Sequence, residues 1–294
     1  MEPIAGAVKM GQNGCGHGVA YPKETGNGSG AAANLAFTKF LFVAARQDDE
    51  ALGARLRSAG SNIARGFFND FDIDDSRESQ IPSFETIHFL VRDGELPPPA
   101  ASSVGPCINK ARHLVQVSSR YRPRLQEVEE ELRRRLGDGA DVLSLSGAVR
   151  SPRYTSAEMQ RYSHKQSPPR HSGRLSPNVI VVPIRKTSEW WQMSPLERQG
   201  YFYPHFDRAS GCPVKGHAQA AEKGISSLFR RMYHNPDGYE RPDEFDFLAY
   251  FECEHEGLPV FEHVLGQLRD PAQNPEWRFV QEGPIWRGKR VLRW

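Results

Sequence analysis

The feature that most constrains the fold is a charged helix held between two strands. PRLQEVEEELRRRLG, residues 123–137, opens with a proline in its first turn and stops at a glycine, where a helix can end in a left-handed residue. On either side stand HLVQVSSRY (113–121) and ADVLSLSGAVR (140–150), with the apolar and β-branched content of buried strands. Strand, helix and strand at this spacing call for a sheet with helices laid on one face.

The pattern extends both ways. Upstream, LAFTKFLFVAA (35–45) reads as a strand, and DDEALGARLRSAGSNI (48–63) spaces Leu52, Leu56 and Ile63 as an amphipathic helix. FFNDFDI (67–73) and FETIHFLV (84–91) read as strands, and the proline-rich 95–107 as a connector. Downstream, NVIVVPIRK (178–186), LFRRMYH (228–234) and FDFLAYFEC (245–253) are strands. LPVFEHVLGQLRD (258–270) is a helix with Val260, Val264 and Leu268 on one face, and 277–292 closes the sheet. The order strand–helix–strand–strand–helix–strand can be read once in each half. The expected class is α+β: two ferredoxin-like repeats of the dimeric α/β barrel type, with antiparallel sheets face to face and helices outside. The expected divisions are a Gly/Ala-rich arm (1–33), a first repeat (34–150), a polar connecting segment (151–177) and a second repeat (178–294).

Charge and cysteine usage narrow the function classes. A net charge of +2 over 294 residues implies neither a nucleic-acid nor a membrane field, and no apolar run approaches the ~20 residues of a spanning helix. The N-terminus lacks an apolar leader core, and the four scattered cysteines read as free thiols, so a cytoplasmic protein is expected. Cys15 and His17 in GCGHG are two ligands at most.

Chemistry-bearing residues gather in the second half. SEWWQMSPLER (188–198) pairs Trp190 with Trp191, and Ser194-Pro195 marks a helix start. In LFRRMYH, strand alternation sends one of Arg230 and Arg231 to solvent and the other to a core. An inward arginine needs an anion; Asp243, Glu244 or Asp246 would give a buried salt bridge, while an open metal face would instead use Arg230 to hold an anionic oxygen ligand. His217 and His205 both offer a metal-ligating imidazole if another group orients the ring. Trp190, Trp191 and Trp277 suit core aromatics, and Tyr154 and Lys186 ordinary polar positions.

Taken together, VIVVPIRKTSEWWQMSPLER (179–198), RRMYHNPDGYERPDEFDFLAYFE (230–252) and Trp277 resemble the chlorite dismutase family of haem proteins, over about residues 141–294. The resemblance implies haem b, two ferredoxin-like halves and a ring-shaped homo-oligomer, a homopentamer by the family's habit. It implies His217 as proximal iron ligand and Arg230 as distal arginine, with Trp190, Trp191 and Trp277 lining the pocket and Tyr154 and Lys186 meeting the propionates. Asp270 falls where the family's glutamate holds the proximal imidazole, one methylene shorter. About twelve extra residues precede His217: counting forward from Trp191 selects His205, whereas counting back from Arg230 selects His217. A helix from His217, free of the kink at Pro204, favours His217. The activity implied is conversion of chlorite, a small anionic oxidant, to chloride and dioxygen. A peroxidase-like oxidation, or haem binding without catalysis, is the alternative. Coproheme decarboxylases of this fold need a tyrosine where Val182 stands.

Overall fold

A computed structural model of the chain describes residues 37–46, most of 52–59, 86–94, 105–149, 176–241 and 244–291. The expected strand at 67–73, the arm, Tyr154, Cys15, His17 and nearly all of the 151–177 segment lie outside the described residues.

Four strands build the first half: β1 (Phe37–Ala45), β2 (Thr86–Arg92), β3 (His113–Ser119) and β4 (Ala140–Val149). Helix α1 (Gly105–Lys110) precedes β3, and α2 (Arg122–Leu136) joins β3 to β4. The described residues among 52–59 are helical and lie between β1 and β2 in the chain. The second half begins with β5 (Asn178–Lys186). Short elements follow: α3 (Ser188–Gln192), α4 (Pro195–Gly200), the hairpin β6 (His205–Asp207) and β7 (Cys212–Val214), α5 (Gly216–Ala220) and α6 (Glu222–Ile225). Then come β8 (Phe229–His234), β9 (Phe247–Cys253), α7 (Leu258–Arg269), a 3-10 turn (Pro275–Phe279), β10 (Val280–Glu282) and β11 (Trp286–Val291).

The expected face-to-face sheets are corrected by the pairing. All strand pairs of the large sheet are antiparallel, and the order β5-β11-β2-β3-β1-β4-β8-β9 returns to β5 through a β5–β9 ladder, closing an eight-stranded barrel with β10 added beside β5. The halves join edge to edge, through Ala148–Val149 of β4 against Tyr233–His234 of β8 and through β11 against β2. Closure satisfies edge backbone groups that two separate sheets would leave open. Within the halves the strands follow one order, β4-β1-β3-β2 and β11-β5-β9-β8.

Alternation divides the side chains between two buried regions. Phe40, Phe42, Leu114, Val179, Val181, Tyr233, Tyr250 and Trp286 fill the barrel. Their neighbours on the strands face outward, where Leu41, Val43, Val115 and Val117 meet α2 and Ile180, Val182, Ala249 and Met232 meet Phe261 and Leu265 of α7. A strand here therefore has no solvent face along most of its length.

Candidate functional site

The site lies in the outer layer of the second half, and backbone restrictions explain its shape. Where the first half lays one 15-residue helix on its sheet, the chain after β5 breaks into short pieces at Pro195, Pro204 and Pro213. Ser194 and Glu197 form a reciprocal capping box that starts α4, as Ser194-Pro195 implied. Gly216 opens α5 at φ +68°, and a Cβ there would sit 2.4 Å from the Tyr203 carbonyl oxygen, so this position requires glycine. The amides of His217 and Ala218 donate to the carbonyls of Tyr201 and Phe202, and those of Lys215 and Gly216 to Gln273. His217 is thereby fixed at the start of α5 from two sides.

Its ring is held as firmly. Nδ1 of His217 lies 2.7 Å from Glu276 Oε2, and the other carboxylate oxygen, Oε1, accepts from Lys186 Nζ at 2.5 Å. Lys186 and Glu276 side chains are each 6% exposed, whereas the imidazole is 30% exposed, so a buried ion pair ends on a half-open ring. Burial would raise the Glu276 carboxyl; the Lys186 ammonium and then His217 outweigh it and hold it down at about 2. Burial pulls Lys186 down against the opposing pull of Glu276 and Asp246. With Nδ1 on the carboxylate, Nε2 is the ring nitrogen left over, and it has no hydrogen-bond partner among the described residues.

Two assignments change. The imidazole's carboxylate partner is Glu276, not Asp270. Asp270 caps the end of α7, and its carboxylate accepts from the Ala272 amide. The turn that follows, with Asn274 bonded back to Asp270 and Leu268, carries Glu276 underneath His217. Lys186 serves the same chain from behind: its ammonium is buried on Glu276 and 4.1 Å from the Trp190 ring centroid, which is not the position of a surface donor to propionates.

The remaining residues fall as follows. Trp190 is buried with Phe202 and Phe279, and its Nε1 has no hydrogen-bond partner among the described residues. Trp191 is partly buried, stacks on Tyr239 and donates to Asp246. Trp277 is partly exposed beside Glu276 in the 3-10 turn. His205 sits on β6 with Nδ1 2.8 Å from the Tyr203 carbonyl oxygen. Phe202 lies against the His217 ring, centroids 5.2 Å apart.

Both arginines of β8 are at least partly buried, against the expectation that one would face solvent. Arg231 points into the barrel at 3% exposure, near the Tyr233 hydroxyl and over the Phe229 ring. Arg230 alternates with it and shares the outward face of Met232, the face that packs against Phe261 and Leu265 of α7. Of the three carboxylates weighed as its partners, Asp243 lies outside the described residues, Glu244 bonds Arg241 and Asn235, and Asp246 receives the Lys186 and Glu240 amides. His217 therefore stands on α5, and Arg230 on the outward face of β8.

Solved structures share this architecture. Chlorite dismutase from Candidatus Nitrospira defluvii, solved in complex with imidazole, matches 87% of this chain and 91% of its own at 19% identity and a TM-score of 0.60. A double variant of the same enzyme matches at 18% identity and 0.59 over the same shares. This is the chlorite dismutase fold. A structure named as a candidate chlorite dismutase matches at 11% identity and a TM-score of 0.54, covering 95% of its own chain. No family model matches the sequence. Among the described residues no helix is long and apolar enough to cross a membrane.

Proposed function

We propose that the chain is a haem b-dependent oxidoreductase that converts chlorite to chloride and dioxygen, with His217 as iron ligand and Arg230 as the distal cation. The observation that carries this reading is the Lys186–Glu276–His217 chain, which anchors one imidazole nitrogen and leaves the other without a hydrogen-bond partner among the described residues. The residues fit the group: a ligating histidine needs its second nitrogen held by an acceptor, and a carboxylate at 2.7 Å makes the ring more basic. Haem would supply the redox chemistry of oxygen-atom transfer. Glu276 orients His217 and fixes its tautomer, and Lys186 keeps Glu276 ionised in a buried site. Arg230 holds the anionic oxidant by charge-assisted hydrogen bonds. Phe202, Trp190 and Phe279 exclude water from the buried side of the ring. Two ferredoxin-like repeats and a homo-oligomeric ring belong to the same reading; the matching strand order of the halves supports the former.

The test is reconstitution of the purified full chain with haem b, followed by oxygen-electrode traces with chlorite. Arg230→Ala should retain the haem absorption band and lose turnover on the order of 10²–10³-fold, the scale of removing one preorganised donor. Full turnover in that variant rejects Arg230. If haem does not bind, the whole reading fails.

A further inference from the structure

Beyond His217 and Arg230, the outward face of the second half carries a built aromatic chain. His234, at 1% exposure, has Nδ1 2.8 Å from the Tyr239 hydroxyl. The Tyr239 ring lies flat on Trp191, centroids 4.3 Å apart with 9° between planes, and Phe247 packs against all three rings. Trp191 is fixed in turn by Asp246, which accepts from Nε1 at 3.3 Å, and by the Arg198 guanidinium over its face. His234 shares its strand face with Arg230, four residues or about 13 Å away along β8. Trp191 follows Trp190, whose ring covers Lys186.

Core packing alone accounts for stacked rings. It does not account for a phenol set on the nitrogen of a buried imidazole. Oxidising a phenol without moving its proton leaves a strongly acidic cation in a low-dielectric site, which is costly. An imidazole nitrogen at hydrogen-bond distance removes that obstacle, because it can take the proton as the electron leaves. Trp191 and Tyr239 are both partly exposed, so the chain reaches solvent.

We propose that Trp191, Tyr239 and His234 form a one-electron donor site, through which phenolic or anilinic reductants too bulky to reach Arg230 are oxidised at the surface. In the step, the Tyr239 O–H bond breaks, its proton passes to His234 Nδ1, and one electron leaves through the stacked Trp191 to the oxidant. The external reductant then gives up one electron and releases its own proton to solvent, leaving as a neutral radical, and His234 returns the proton to the tyrosine oxygen. The oxidant in service is peroxide acting through the cofactor, and in that respect the inference rests on the haem reading above.

The experiment has two arms. On the full chain without added haem, a photogenerated ruthenium(III) polypyridyl oxidant should yield a tyrosyl signal by electron paramagnetic resonance, formed more slowly in deuterated solvent. Although the chain has nine tyrosines, Tyr239→Phe should cut that signal several-fold. His234→Gln, which can still bond the phenol but cannot take its proton, should slow formation and shrink the isotope effect. On the haem-loaded chain with peroxide, Tyr239→Phe should lose oxidation of a bulky phenolic dye and keep chlorite turnover. An unchanged signal in Tyr239→Phe, or an unchanged rate in His234→Gln, overturns the donor site whatever the haem arm shows. Failure of the wild-type chain to take up haem, with the ruthenium arm intact, overturns the cofactor reading and leaves the donor site standing.

Discussion

The two halves put the same ion pair to different uses. In the first, Lys39 of β1 reaches outward to Glu129 of α2 at 2.5 Å, and Arg133 and Ser144 complete the carboxylate's bonds. Leu125, Val128, Leu132 and Leu136 fill the rest of that interface. In the second, Lys186 of β5 reaches outward to Glu276 at the same distance, and the remaining carboxylate oxygen goes to a half-exposed histidine. One network is closed and clamps a helix to a sheet. The other is left open at one end. A continuous helix leaves no room over its sheet, whereas a helical layer broken by prolines can present a ring at a gap between its pieces.

Replacing the proposed iron ligand should have the largest effect. His217→Ala should cost haem affinity by more than the roughly 10–100-fold expected for loss of an outer partner such as Glu276. His205→Ala and Glu129→Ala should leave haem titrations unchanged. Loss of haem in His205→Ala would move the site to the β6 hairpin.

Next come the lysines. Lys186→Met leaves a buried carboxylate facing one histidine and should destabilise by on the order of 3–5 kcal/mol. Lys39→Met leaves Glu129 with Arg133 and Ser144 and should cost about 1–3 kcal/mol. Equal losses in urea denaturation would erase the distinction between an open and a closed network.

Glycines sharpen the contrast on a smaller scale. Gly216→Ala meets both a positive φ and a carbonyl oxygen, and should cost about 2–3 kcal/mol along with haem retention. Gly137 ends α2 at φ +57° with open space around it, so Gly137→Ala should cost about 1 kcal/mol and leave haem binding alone.

The gentlest probe is acid. Glu276 is depressed in the folded chain, so its contribution is present above the ordinary carboxylate range and lost as pH falls from about 4.5 towards about 2. In Lys186→Met burial dominates, and the acid transition followed by circular dichroism should move to higher pH. A transition at the wild-type pH would show that Lys186 does not hold the carboxylate down.

Much of the local structure was legible because its causes are local. Pro123 and Gly137 bracket α2 within a residue or two, and Ser194-Pro195 starts α4 with the bonds expected of that pair. The strands 178–186, 228–234 and 245–253 lie where alternation and β-branching put them. Asp270 was misassigned for a physical reason. Counting along the chain cannot register a turn that folds back, and the Asn274-capped turn advances the carboxylate beneath His217 by six residues. Glu276 beside Trp277 in a proline-opened turn was the available signal. The solvent side of β8 was misjudged because alternation reports two faces without saying what covers each.

By itself the sequence determined which segments extend, where helices begin and end, and which residue types are at hand for chemistry, since those depend on backbone sterics and neighbours a few positions away. Tertiary structure decided that two sheets close into one barrel, that Arg231 turns inward while Arg230 faces the helices, and that Glu276 links residues 59 and 90 positions distant in His217 and Lys186. Those choices follow from satisfying strand edges and buried charges across the whole chain, which no short stretch of sequence encodes.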